Sequence, residues 1–325
     1  MTGSNDRPWL KNYPKGVPAE IDLEQYPSIV ALLDSCFDRF RHRPAFSNMG
    51  RTISYGDLDR LSQQFASFLV NDLKCVKGDR IAMMMPNVLQ YPIAICGALR
   101  AGMVVVNTNP MYTPRELKHQ LEDSGARAII VLDNFAHTVA SVCRDTPVEH
   151  VITTALGDML GFPKGMITNF AVKYIKKMVP AFDIPGATRF SDALRKGAAN
   201  KAVMADVGAT DIAFLQYTGG TTGVAKGAML THRNMIANMQ QASAWISGDM
   251  TEGEEVIVTA LPLYHIFALT ANCLTFMKIG GLNYLITNPR DMTGFVPELG
   301  PIRYTTITGV NTLFNRLLNT PGFDQ

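Results

Sequence analysis

The chain has 325 residues and a formal net charge of only +2, so nothing in its charge balance favours a nucleic-acid partner. With 47% hydrophobic and 18% charged residues it has the composition of a soluble protein, long enough to bury a large core and to divide into two subdomains. Five scattered cysteines (Cys36, Cys75, Cys96, Cys143, Cys273) form no CxxC and read as buried small hydrophobes in a reducing compartment, and the histidines lack metal-ligand spacing.

The opening "MTGSNDRPWLKNYPKG" has no apolar h-region, so it is not read as a secretory signal, and no apolar run is long enough to span a bilayer. The expected location is the cytoplasm, with any membrane contact peripheral, on its inner face. In chain order, "PSIVALLDSCFDRFRHRP" sets Val30, Leu33, Phe37 and Phe40 on one helical face. A short strand near Ile53 leads into a helix carrying Leu58, Leu61, Phe65 and Leu69. "RIAMMM" (80–85) is apolar on both faces and reads as a buried strand. Residues 91–102 form a helix capped by Gly102, and 103–110 the next strand. "TPRELKHQLEDSG" has Thr113 at the N-cap, Pro114 at the first turn, Glu116 three residues on and Gly125 at the end. Strands at 126–132 and 150–154 follow. This alternation predicts βαβ units and a largely parallel sheet, with ligands at the carboxyl ends of strands.

Residues 155–205 break the rhythm. Within 162–182, four lysines stand among Phe162, Met166, Ile167, Phe170, Ile175 and Met178. Two readings stay open: a basic amphipathic helix lying on an anionic membrane, or a helix packed on its own domain with solvated lysines. The alternation then resumes at 211–220 with a strand and the start of a loop, a helix at 231–246 capped by Thr231, a strand at 254–263, a helix at 271–281, strands at 282–287 and 304–310, and a helix at 311–319.

Residues 216–230, ahead of the helix at 231, read "QYTGGTTGVAKGAML". Adjacent glycines let the backbone turn its N–H groups on an anion, threonine hydroxyls add donors, and Lys226 adds a full charge, which together suit a polyphosphate. A Gly/Thr-rich turn without a ligand is the bland alternative. The spacing fails both the Walker A pattern and the dinucleotide G-x-G-x-x-G. It instead resembles the signature of the adenylate-forming enzymes (acyl-CoA synthetases, luciferases and peptide-synthetase adenylation domains), with Ala225 where most members have proline. "LPLYHIFAL" (261–269) and "ITGVNTLFN" (307–315) resemble two later motifs of that family. With the "WLKNYP" start, the whole is most similar to bacterial long-chain fatty-acid–CoA ligases.

The resemblance implies an α/β fold made of the βαβ-built subdomains of the family's large N-terminal domain. Residues 1–205 would form the first subdomain, with 155–205 a variable insertion, and 206–325 the start of the second, with the phosphate loop. It implies ATP, Mg²⁺ and coenzyme A acting on a long-chain fatty acid, through acyl-AMP and pyrophosphate to acyl-CoA and AMP. Thr218 would be the Mg²⁺-associated hydroxyl. Gly220, Thr221, Thr222 and Gly223 would hold the β- and γ-phosphates, with Lys226 neutralising them, and Tyr217, Gly219 and Gly227 would also bind the nucleotide. His265 would lie near the substrate carboxylate, although a packed core histidine is the competing reading. Gly309, Val310 and Asn311 would line the acyl pocket, with Leu269 where some long-chain members carry a gating tryptophan. His232 and Asn234 are read as helix-capping residues. The family's Y-G-x-T-E segment, its later aspartate motif and its C-terminal domain are not in this sequence, so the chain is expected to stop within the large domain. Alone it is expected to be an inactive nucleotide- or acyl-binding fragment that forms a dimer or another self-associated state; another acyl or aryl acid–CoA ligase is the rival parent.

Overall fold

The computed structural model describes residues 7–219 and 225–323. The first elements are α1 (Ile29–Arg39), β1 (Pro44–Asn48), β2 (Arg51–Ser54), α2 (Tyr55–Asn71), β3 (Arg80–Met84), α3 (Gln90–Arg100), β4 (Val104–Asn107) and α4 (Pro114–Ser124). Then come β5 (Ala128–Leu132), α5 (Ala136–Val142), β6 (His150–Thr154), α6 (Lys164–Phe170), β7 (Thr188–Arg189) and α7 (Phe190–Ala199). The last are β8 (Ile212–Thr218), β9 (Lys226–Thr231), α8 (His232–Ile246), β10 (Val256–Thr259), α9 (Thr275–Lys278), β11 (Leu282–Leu285), α10 (Met292–Leu299), β12 (Thr306–Ile307) and α11 (Asn311–Leu318).

Local chemistry sets many of these boundaries. α4 begins with the expected capping box, in which Thr113 accepts from Glu116 N–H and the Glu116 carboxylate accepts from Thr113 N–H; it ends at Gly125 with φ 60°. α2 opens with a second box, Ser54 with Asp57. β1 and β2 form a hairpin across Met49 and Gly50, whose φ values of 48° and 73° suit the tight turn that a right-twisted pair needs.

Two sheets result. One orders its strands β7-β6-β5-β3-β4-β8-β9, parallel except for the terminal β8–β9 hairpin. The other runs β12-β10-β11-β1-β2, parallel except for β1–β2. The period of two along each strand distributes the cores. Ile81 and Met83 of β3 face a large central core shared with α1, α2, α3, α7 and α8. Ala82 and Met84 face a second core under α4 and α5. Val258 and Ile286 face a third under α10 and α11. The layers are therefore helix, sheet, helix, sheet, helix.

Sheet membership does not follow a division at 205/206. β1 and β2 lie before that point and belong with β10–β12, whereas β8 and β9 lie after it and complete the sheet of β3–β7. Four elements differ from the sequence reading. β1 is a strand because its backbone pairs with β11, a partner that local pattern cannot reveal. β9 is an exposed edge strand with little apolar alternation, so a loop running directly into α8 is what its sequence suggests. Residues 268–274 form a π-helical stretch ahead of the short α9 rather than one regular helix. The predicted strand at 304–310 shortens to Thr306–Ile307.

Candidate functional site

In sequence the Gly-rich loop joins β8 to β9, which pair as an antiparallel hairpin. Thr218 and Lys226 are cross-strand partners at its neck, both exposed, with Gly219 beside them. Gly220, Thr221, Thr222 and Gly223 lie outside the described residues. One register step below the neck, Tyr217 faces Gly227. A Cβ at Gly227 would stand 2.9 Å from the Tyr217 ring, so the glycine is what lets the ring lie flat across the hairpin. The Tyr217 ring is buried, and its hydroxyl donates to Asp123 of α4 at 2.5 Å. Burial and that carboxylate hold the phenol well above its ordinary pKa. Tyr217 thus braces the neck. On the return strand, the Ala225 carbonyl lies 3.1 Å from His119 Nε2 of α4.

Below the neck runs a buried hydrogen-bond chain. Tyr91 donates to Asn107 Oδ1 (2.7 Å), Asn107 Nδ2 donates to Gln216 Oε1 (3.0 Å), and Gln216 Nε2 donates to the Tyr264 carbonyl (3.2 Å). Tyr264 precedes His265, so this chain ties the hairpin to the segment "LPLYHIFAL". A second tie comes from Asn87, just past β3. Its Nδ2 donates to the carbonyls of Thr259 and Leu261, and its Oδ1 accepts from Leu263 N–H. A fully satisfied buried amide thereby locks the end of a strand in one sheet to the end of a strand in the other.

His265 stands exposed beyond β10, its ring 4.6 Å from that of Tyr264; the protein partly enclosing it lowers its pKa by disfavouring the charged form. Gly309, Val310 and Asn311 follow β12, the neighbour of β10, and lie at the surface at the start of α11. Thr308 Oγ1 donates to Asn272 Oδ1 at 2.9 Å, which brings that motif against the π-helical stretch after His265. Leu269 is fully buried in the central core. His232 and Asn234 are structural, as expected. Asn234 completes a capping box with Thr231, and buried His232 accepts from Ile29 N–H through Nδ1 (3.1 Å).

A cavity of about 750 Å³ opens where β3, β5, β10 and β11 end, lined by Pro86, Leu132, Pro262, Ile286 and Phe295 and roofed by α6. None of the five predicted substrate residues, His265, Leu269, Gly309, Val310 and Asn311, lines it. The sequence reading missed the cavity and the residues Asn87, Asn107 and Gln216. The only sequence cue was polar side chains at strand ends: "MPN", "VVVN" and "LQYT". Among the described residues no cluster of three or more His, Cys, Asp or Glu is placed to hold a metal.

Residues 33–325 match the family described as AMP-binding enzyme. The chain is 56% identical over 317 residues to a long-chain-fatty-acid–CoA ligase of Salmonella typhimurium, covering 98% of this chain and 56% of that protein. Among solved structures, an anthranilate CoA ligase in complex with anthranoyl-AMP superposes with TM-score 0.77 at 18% identity, over 94% of this chain and 54% of the other. A long-chain-fatty-acid-CoA ligase from Archaeoglobus fulgidus superposes with TM-score 0.72 at 22% identity, over 95% and 57%. At those identities the two structures support the fold alone. The chain spans just over half the length of the curated relatives it matches.

Proposed function

Since the chain belongs to the AMP-binding enzyme family, we propose that it serves the ATP-dependent activation of a long-chain fatty acid. The carboxylate attacks the α-phosphate of ATP, giving acyl-AMP and pyrophosphate; the thiol of coenzyme A then attacks the acyl carbonyl and AMP leaves. The acyl-CoA product suits β-oxidation. The obstacle in the first step is repulsion between an anionic nucleophile and a polyanion, so positioning and charge neutralisation are what the protein must supply. The observation that carries this reading is the hairpin neck, which sets Thr218 across from Lys226 and is tied through Gln216 to the His265 segment.

In this reading Lys226 neutralises the β- and γ-phosphates, the loop amides orient them, and His265, held neutral at physiological pH, hydrogen-bonds near the carboxylate. The exposed hydroxyl of Thr218 at the neck suits a ligand of a Mg²⁺ ion carried mainly by nucleotide phosphates and water. Thr218 would hold that ion, which when bound offsets phosphate charge. Residues 162–182 would make the peripheral membrane contact. The exposed edge strand β9, with Met229 at its surface, favours self-association. Residues before and after 205/206 remain the proposed units of the active-site architecture, despite the exchange of strands between their sheets.

The test is ATP–pyrophosphate exchange with a long-chain acid in the full-length protein. Lys226→Ala should slow exchange by about 100-fold or more, the scale of removing one group that stabilises developing charge; a wild-type rate would refute the role. The 325-residue chain alone, whose sequence lacks Y-G-x-T-E, is expected to bind without detectable exchange. A carboxylate chain-length series separates a long-chain from an aryl or short-acyl ligase.

A further inference from the structure

Seven of the sixteen exposed large hydrophobic side chains among the described residues lie within 162–178. Phe162, Met166, Phe170 and Tyr174 recur every fourth residue, a stripe along α6 and the π-helical turn Ala171–Ile175. Phe162 is 86% exposed and Ile175 69%. A surface helix ordinarily turns such a stripe inward. Here the inward face is already occupied: Gly165 and Val172 are buried, and Thr168, Ala171 and Val172 roof the 750 Å³ cavity. The segment therefore has two apolar faces, one over the cavity and one to solvent.

It is also fastened at its middle and at its C-terminal end. Gly157 N–H donates to Asn169 Oδ1 (2.7 Å), Asn169 Nδ2 donates to Asp158 (2.9 Å), and Asn134 Nδ2 donates to the Met178 carbonyl (3.0 Å). The exposed stripe is thus held in place by the fold. Its charge has one sign: residues 159–182 contain four lysines and no acidic residue. An apolar stripe flanked only by cations complements an anionic bilayer surface. Beneath it, Lys176 and Arg290 both line the cavity, and neither is in a salt bridge among the described residues. Of the cavity's acids, Asp291 caps α10 and also feels the charge of Lys176, and Glu298 accepts from Tyr284.

We propose that the cavity under α6 is an access site for a long-chain fatty acid drawn laterally from an anionic membrane, its chain in the cavity and its carboxylate at Lys176 and Arg290, before activation at the hairpin loop. The cavity has the size and apolar lining of a small-molecule site. The inference rests on the acyl-activating function above, and adds where and from what phase the acid arrives.

The experiment has two arms. In the first, the 325-residue chain is floated with phosphatidylcholine vesicles with or without 30% phosphatidylglycerol, on the order of a physiological anionic fraction, and titrated in vesicle-free buffer with the fluorescent fatty acid parinarate. The chain should float only with anionic vesicles. The triple variant Phe162→Ser, Phe170→Ser, Ile175→Ser should lose flotation about 10-fold and keep parinarate affinity. Ala171→Trp, which fills the roof, should do the reverse; Thr168→Trp repeats the test from another position should Ala171→Trp not fold. Absence of flotation, or parinarate binding indifferent to both tryptophans, overturns the proposal. The second arm uses the full-length protein and ATP–pyrophosphate exchange. The triple variant should slow exchange with vesicle-delivered oleate about 10-fold and leave exchange with freely dissolved decanoate unchanged. Unaffected oleate exchange sinks the access site while acyl activation stands. Wild-type protein that exchanges with neither acid sinks the activation reading itself.

Discussion

His232 gives a quantitative handle on the native structure. Its ring is 1% exposed at the start of α8, its Nδ1 accepts from Ile29 N–H, and burial depresses its pKa from 6.5 to about 4. The nearest charges, Asp211 and Lys77, pair with each other at 2.6 Å and act on the imidazole in opposite directions, so burial decides the shift. A depressed pKa means that the unfolded chain takes up a proton between pH 6.5 and 4 while the native chain does not. Stability is therefore highest above pH 6.5, falls as pH drops through that window and levels off below 4. At 1.36 kcal/mol per pKa unit, lowering the pH from 7.5 to 4.5 removes about 2.5 kcal/mol through this one group. His232→Asn retains an oxygen able to accept from Ile29 N–H but cannot titrate. Urea unfolding of both chains across that range isolates the term, since carboxylate titration is common to both. The variant should lose about 2.5 kcal/mol less than the wild type. Parallel pH profiles, or an NMR titration that puts native His232 near 6.5, would refute the reasoning.

Other positions test the fold and the site. At Gly197, a methyl group would overlap the Gln64 carbonyl oxygen and lie 2.7 Å from its carbon, where α7 crosses α2; Gly197→Ala should cost about 2–3 kcal/mol in thermal or urea unfolding, and an unchanged midpoint would contradict that contact. Asn87→Ala strands two carbonyls and one N–H at the junction of the sheets, so it should cost about 1–3 kcal/mol and raise protease cleavage within 260–266. Gln216→Leu cuts the link from the hairpin to Tyr264 and should reduce pyrophosphate exchange in the full-length protein more than it reduces stability. Equal losses of the two would make Gln216 a packing residue.

What the sequence reveals and what it hides divide along the distance between interacting residues. α4 was legible to its last residue because Thr113, Pro114, Glu116 and Gly125 act within a turn of the backbone they cap. The capping role of Asn234 is local in the same way. β3 and β5 announce themselves by apolar residues on both faces. β1 depends on a partner in β11, and the amides of Asn87, Asn107 and Gln216 take their meaning from carbonyls and side chains far along the chain, where no periodicity points. The nucleotide loop was readable as a motif because glycine, threonine and lysine carry its chemistry in consecutive positions. Whether Leu269 packs in the core or faces a pocket depends on the π-helical turn of its segment, which residue types alone do not specify.

The crossing of β1 and β2 into the later sheet has a consequence for synthesis. Asn48 reaches the Leu285 carbonyl across 237 residues. At roughly 5–20 residues per second, a ribosome takes on the order of 10–50 s to make the strand that the first hairpin must join. Through that interval β1 has only β2 beside it, and its other edge, later paired in parallel with β11, is open to any strand that comes near. Completion of the second sheet must therefore come late in biogenesis, and the nascent N-terminal hairpin is where a chaperone would have the longest opportunity to engage.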